Sequence, residues 1–355
     1  MGFDFGVDED AFTLSGQTTS ADLPDQLKLF AAKLAAPGWD PNPVARAKAG
    51  LLANYAGLSA SPDAVLGRDL DSLLHAGDPR WGTPPRAAIE ALTPASFRAF
   101  WQPILASGPI EVEVFGDVDA EAAIKAVSET FGALAPRAAS TAPAPPVRFP
   151  AHVASPVVRT HTGQPDQAAA VIAWPTGGGS AGISESRKLD ILAAVFRDRL
   201  MDQLRSQAGA SYSPNVSSDW PLGMPGGGKI MALGMVPPDK TGFFFSLARG
   251  IAADLVAKPI DLDELNRALI PLKETVIRRS SGNMFWMQLV EGGSYDPARI
   301  EAVRTLPHDN HLYHAARAAG AGGEISPAGQ GLDNDGGAGE EGEVRMGGGS
   351  HRPSS

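Results

Sequence analysis

Residues 200–213 read Leu-Met-Asp-Gln-Leu-Arg-Ser-Gln-Ala-Gly-Ala-Ser-Tyr-Ser, a stretch that holds the end of a helix, a turn and the start of a strand. Leu192, Phe196, Leu200 and Leu204 recur four apart, the spacing of one face of an amphipathic helix, and predict a long helix from about Ser184. Ala208-Gly209 breaks it, and the run from Ser211 to Ser218 carries the residue types of a strand. Upstream, Val157 to His161 and Ala168 to Trp174 read as strands. Downstream, a Gly-rich turn leads to a strand over Lys229 to Met235. Helices follow from Asp239 to Ala257 and from Asp261 to Ser281, with a short one from Pro297 to Leu306. The order strand, strand, helix, strand, strand, helix, helix is that of an α+β domain with an antiparallel-rich sheet.

The preceding block is α+β as well, with helices outnumbering strands. Phe12 to Thr19 alternates and reads as a strand. Ser20 is expected to cap a helix carrying Leu23, Leu27, Phe30 and Leu34, which Pro37-Gly38 stops. A helix after Pro43 carries Leu51, Leu52 and Tyr55; another runs from Pro62 through Leu66, Leu70 and Leu74. Thr93-Pro94 caps a helix with Phe97, Phe100 and Trp101. Ile110 to Phe115 alternates as a strand, and Asp119 to Phe131 is helical. This block ends as the second does, so an internal duplication with the first copy lacking its front fits the pattern.

Between the blocks, residues 136–156 are rich in Ala, Pro and Ser, including Pro143, Pro145, Pro146 and Pro150. Such a stretch cannot hold a helix and reads as a linker. After residue 306 the composition changes again: residues 320–355 contain 12 of the chain's 40 glycines and little that is large and apolar, which predicts disorder. The expected division is a first domain over 1–135, a linker over 136–156, a second domain over 157–306 and a disordered tail over 307–355.

The net charge of −10 supplies no cationic surface for displacing phosphate counterions, which argues against nucleic acid as a partner. With no cysteine, disulfides, thiolate nucleophiles and Cys-based zinc sites are excluded. The first residues have neither a basic n-region nor an apolar h-region, and Leu189 to Phe196 is too short and too interrupted to span a bilayer. The compartment, cytoplasm or periplasm, stays open.

Arg205 ends the long helix and Tyr212 opens the following strand, so both side chains are placed at one mouth of the domain. A guanidinium and a phenol there can donate hydrogen bonds to peptide carbonyls or to a developing oxyanion. The alternative is that Arg205 answers the negative helix end and Tyr212 packs half-buried. The stretch through Gly209-Ala-Ser-Tyr-Ser resembles the Leu-Arg-x-x-x-Gly-x-x-Tyr-Ser signature of pitrilysin/insulinase-type zinc peptidases, with Arg205, Gly209, Tyr212 and Ser213 at the matching positions. The order of elements around it agrees, and the resemblance covers most of Phe12 to Leu306. It implies two tandem α/β-sandwich domains, the first incomplete at its front. It also implies that Arg205 and Tyr212 approach a peptide or small-protein substrate beside zinc held elsewhere.

The chain departs from that family in its metal site. His-x-x-Glu-His would place two imidazoles on one helical face with a Glu as general base. None of the seven histidines, His75, His152, His161, His308, His311, His314 and His351, starts or completes it. The expectation is a non-catalytic part, inactive alone and with no cofactor of its own. Zinc would belong to a partner chain bearing His-x-x-Glu-His or to upstream sequence. A non-enzymatic interaction module, or a truncated and frameshifted product without activity, is the alternative. The family's closing helix and strand are expected after Leu306, where the Gly-rich tail stands instead, as a frameshift would leave it; the sheet would then keep an open edge. The triplet His308, His311, His314 drifts around a helix and has only Asp309 nearby, a poor metal site. Gly177-Gly-Gly-Ser and Gly226-Gly-Gly lack the Gly-Lys-Ser/Thr ending of a phosphate loop and read as turns.

Overall fold

The computed structural model describes residues 2–8, 10–138, 146–150, 155–208, 214–306 and 342–348. In chain order the first elements are β1 (Asp4–Val7), β2 (Phe12–Ser15), α1 (Leu23–Ala35), α2 (Pro41–Asn54) and α3 (Pro62–Leu74). They are followed by α4 (Arg86–Ala91), α5 (Pro94–Leu105), α6 (Ala120–Thr130), β3 (Val157–His161), β4 (Ala168–Gly177) and α7 (Ile183–Ala208). Next come β5 (Asn215–Asp219), β6 (Gly226–Val236), α8 (Thr241–Ala257), α9 (Leu262–Arg279) and α10 (Asn283–Val290). Last are α11 over 297–306 and β7 (Gly342–Gly348).

Helix starts follow side-chain caps. Ser61 accepts from Ala64 N at the head of α3, and Asp119 does the same for Ala122 N at α6. Thr93 and Ser96 form a reciprocal capping box at α5. Each such cap is worth about 1 kcal/mol. Ahead of α1 stands a 3-10 turn, Ser20–Asp22, capped by Thr19, which accepts from Asp22 N; α1 itself has Asp22 at its N-cap with no side-chain cap bond, and Ser20, the expected cap, donates its Oγ to Asp117 O at 2.7 Å.

The described residues fall into two units. One comprises Met1–Ala53, Pro85–Pro145 and Ser280–Pro297. Here β1 and β2 form an antiparallel ribbon with Phe5 opposite Leu14, and α1 packs on α6. Phe5 and Phe12 both meet Trp101 edge-on, at 5.5 and 6.0 Å between centroids, which seats the ribbon on α5. Ile110 to Phe115, expected as a strand, belongs to neither sheet. The sequence has the pleat and the residue types, but a strand also needs a backbone partner, and among the described residues it has none. β1, α4 and α10 escaped the sequence reading: all are short, and β1 is broken in pattern by Gly6.

The other unit comprises Asn54–Pro84, Pro146–Arg279 and Ala298–Ser355. Its sheet has the order β3-β7-β4-β6-β5. β4 is antiparallel to β6, with Ala168 opposite Val236 and Trp174 opposite Ile230; β5 is antiparallel to β6. β4 is buried from Ala168 through Trp174, so both of its faces are covered. Ala170, Ile172 and Trp174 join the core made with Leu192, Phe196, Leu200 and Phe244 of α7 and α8. Ala169 and Val171 point the other way, against Val65 and Leu66 of α3. Helix α3, read from sequence as part of the first block, therefore packs on the second sheet. Thr162 N to Ser59 O at 2.7 Å and the Arg159–Asp69 ion pair at 3.3 Å fasten it to the β3 side.

One stretch of the tail, β7, is among the described residues. Gly342–Gly348 runs parallel to β3 and antiparallel to β4, filling the place between them that an open edge was expected to leave. The surrounding glycines and charges hide it from a periodicity reading. The rest of 307–355, with the His308, His311, His314 triplet, lies outside the described residues. Because β7 is the only ladder partner of β3 among the described residues, deleting residues 342–348 should unprotect Val157–His161, with amide exchange there rising at least about tenfold. Hydrogen-exchange mass spectrometry checks this, and unchanged protection of β3 would remove β7 from the sheet.

Candidate functional site

Leu200 and Leu204 are fully buried against the sheet, and that anchoring turns the other face of α7 outward near its carboxy end. Arg205 stands there in the last turn, exposed. The remaining arginines of α7 are tied. Arg187 donates to Ala302 O and Thr305 Oγ1 of α11, at 2.5 and 3.3 Å. Arg199 makes a two-pronged pair with Glu264 of α9, at 2.6 and 2.7 Å, and this carboxylate holds its guanidinium above the usual arginine range. Arg197 meets Asp198 at 3.5 Å. Arg205 makes no hydrogen bond or ion pair with any described residue. Tyr212, Gly209 and Ser213 lie outside the described residues, so the pairing of Arg205 with Tyr212 has no geometry here.

The glycine runs act in packing. A Cβ on Gly177 would stand 2.7 Å from the Trp220 ring, and one on Gly182 would strike the same ring. Trp220 Nε1 donates to Gly179 O at 2.9 Å, so the indole clamps the turn between β4 and α7. Gly179 itself has φ +83°, a conformation that side chains resist. Gly177 ends β4 and Gly178-Gly179 make the turn that follows it, whereas Gly226-Gly227-Gly228, also read as a turn, opens strand β6.

The histidines within the described residues are His75 and His161, and both are engaged structurally. Gly163 N donates to Nδ1 of His161 at 3.1 Å, which leaves Nε2 to donate to Gln167 O at 2.9 Å. This buried ring is a neutral brace for the β3–β4 connection. His75 Nδ1 lies 2.6 Å from Asp71 O, and its ring stacks on Trp81 at 4.2 Å. Among the described residues no three His, Asp or Glu side chains converge as metal ligands.

Two charged features were missed in the sequence. Lys229 and Asp219, opposite each other on β6 and β5, pair at 2.6 Å with the lysine buried. The other is an acidic group in the first unit. Glu111 accepts from Gly292 N at 2.7 Å and Ser294 N at 2.8 Å, holding that turn. Burial, with the like charges of Glu111 and Glu291, pushes the Glu113 carboxyl up to about 7. Burial and Glu111 also raise the Tyr295 phenol. The signal was present in Ile-Glu-Val-Glu-Val-Phe, where the period of two puts both glutamates on one face.

The folded protein thus holds the Glu113 proton more tightly than the unfolded chain does, whose carboxyl titrates near 4.5. Its contribution to stability is complete below about 4.5 and is lost as pH rises through about 7. Denaturant midpoints measured across that window should fall with rising pH, and Glu113→Gln should flatten the fall. An equal slope in the variant would assign the effect to other groups.

The family described as Peptidase M16 inactive domain matches residues 91–270. No curated protein sequence matches the chain. Among solved structures, the ferredoxin protease FusC in complex with Arabidopsis ferredoxin superposes with a TM-score of 0.73 at 16% identity, covering 97% of this chain and 36% of that one. The Peptidase M16 inactive domain from Pseudomonas fluorescens gives 0.73 at 16% identity, covering 100% and 82%. The first half of the periplasmic protease PqqL from Escherichia coli gives 0.61 at 14%, covering 97% and 75%. At such identities these likenesses concern the fold, and the chain spans only 36% of FusC. The family match, however, extends over half of the chain and across both units, and with the helix-and-antiparallel-sheet fold it means that this chain belongs to the M16 peptidase family, on its inactive-domain side.

Proposed function

We propose that this protein is the peptide-holding, non-catalytic part of an M16 metallopeptidase, and that Arg205 and Tyr212 bind the backbone of a peptide or small-protein substrate. Zinc and the general base would come from a His-x-x-Glu-His-bearing chain or domain. The observation carrying this reading is the contrast along α7. Arg187 and Arg199 are tied to α11 and α9, whereas Arg205 is exposed and has no partner among the described residues. A guanidinium kept for an outside carbonyl or carboxylate has this character. FusC is a protease described in complex with a small protein, which supports a substrate of that class. Peptide hydrolysis would then belong to the assembly rather than to this chain.

Arg205→Ala and Tyr212→Phe, each in a reconstituted complex with a His-x-x-Glu-His-bearing partner, should lower kcat/KM by about 10- to 100-fold, the loss typical of a charged or oxyanion-directed hydrogen bond. Peptide turnover and thermal melting measured together check it. Full turnover in both variants would favour an interaction module that keeps the fold without touching substrate. A melting transition lost in the variants would mean that the residues serve the fold.

A further inference from the structure

Helix α9 has opposite characters on its two sides. Leu265, Ala268 and Leu269 are buried, Leu272 packs against the same core, and Glu264 is bound to Arg199 of α7. That anchoring turns Asp263, Arg267, Ile270, Glu274 and Ile277 outward, at the three- and four-residue steps of one helical stripe, and all five are exposed. Ile270 is 53% and Ile277 71% accessible, two branched apolar side chains a heptad apart on the side turned away from the core.

The charges on that stripe are ordered. Asp263 and Arg267 stand four residues apart, as do Glu274 and Arg278, the spacing of ion pairs within a helix, yet neither pair forms. The side chains of Arg267 and Glu274 have no hydrogen-bond or ion-pair partner among the described residues. Along the helix the signs run minus, plus, minus, plus, and they are antisymmetric about the Ile270–Pro271 bond. Arg267 and Glu274 lie equally far from that bond on either side, as do Asp263 and Arg278, and each couple is of opposite sign. A second α9 laid antiparallel, with a two-fold axis at that bond, sets Arg267 against the partner's Glu274 and Asp263 against the partner's Arg278, each contact occurring twice. At 1.5 Å per residue the inner pairs fall about 5 Å and the outer pairs about 11 Å from the axis, with Ile270 beside its counterpart at the centre. A parallel pairing in register would set like charge on like, so the pattern selects one orientation.

We propose that the outer face of α9 is a self-association surface, which takes a second copy of this chain in an antiparallel two-fold pairing. Apolar contact around Ile270 and Ile277 provides attraction, and the ion pairs set register and orientation. A single helix pair buries less than a standard interface, so the dimer is a weak one, with Kd on the order of 10–100 µM. The surface faces away from the core that positions Arg205 and does not depend on the role given to that residue.

Sedimentation of the full chain across about 5–500 µM should show the average mass climbing towards that of two chains. Arg267→Glu and Glu274→Arg each sit at an exposed position, and circular dichroism should show both folded. Each should raise Kd about tenfold or more, because like charges then meet twice across the axis. Mixed in equal amounts, the two variants should associate as well as the unaltered chain, since one then offers two carboxylates to two guanidinium groups of the other. Residues seven apart on one helix do not touch, so this rescue reads a contact between copies. A chain monomeric throughout the range overturns the proposal and leaves the face to another stretch of polypeptide or to a different protein. Association unchanged in both single variants places the contact elsewhere and overturns it too, as does a mixture that stays dissociated.

Discussion

The antiparallel pairing of β4 with β6 is the constraint on which the larger unit depends. It sets Ala168 against Val236 and Trp174 against Ile230, and a slip of one residue would exchange the two faces of each strand. Those faces are not equivalent. One carries Ile172, Trp174 and Ile230 into the core with α7 and α8; the other carries Ala169 and Val171 to α3. The small residues at Ala168, Ala169, Ala170 and Ala173 let helices approach from both sides, so β4 is buried along almost its whole length. Burying one branched side chain such as Ile172 contributes about 1.5–3 kcal/mol, and a register slip would forfeit several at once. Helix α7, pinned by this core along Leu192, Phe196, Leu200 and Leu204, then fixes where Arg205 emerges.

The smaller unit shows the same rule by its breach. Ile110 to Phe115 has a strand's alternation but no ladder, and the unit is held instead by α1 on α6, by the aromatic contacts around Trp101 and by Glu111 across the 292–294 turn. A side-chain carboxylate bonding two backbone amides does locally what a neighbouring strand does along a whole edge. Glu113, one pleat further, is raised by burial first and then by the like charges of Glu111 and Glu291.

What could be read in advance follows from the range of the forces involved. Caps at Ser61, Thr93 and Asp119 and the leucine spacings of α1, α3 and α7 are local, and those helices were legible. The placement of α3 on the second sheet depends on Val65 and Leu66 meeting Ala169 and Val171, about a hundred residues away, and nothing local announces it. β7 is a strand made by its neighbours: Gly-Glu-Val-Arg-Met-Gly-Gly has little preference of its own, and the gap between β3 and β4 supplies the rest. At the site, the position of Arg205 at the helix end was legible, since helix periodicity gives it. The Glu111 and Glu113 face was readable too, but its chemistry depends on Glu291 and the turn beyond, which only the fold brings near.

The arginines of α7 show why position alone does not define a binding residue. A cation in the last turn of a helix is favoured by the carbonyl end whether or not anything binds it, so the place of Arg205 is explained without a substrate. Arg199, on the same helix, also lies near charge, yet its two-pronged bond to Glu264 assigns it to the fold. The distinction is one of satisfied donors. A planar guanidinium has five, and a structural arginine uses them on named acceptors, as Arg187 does on Ala302 and Thr305. Arg205 has the same donors and, among the described residues, no acceptor for them. Its helix-end position accounts for why a cation is tolerated there; donors left unused among the described residues are what the proposed peptide contact rests on.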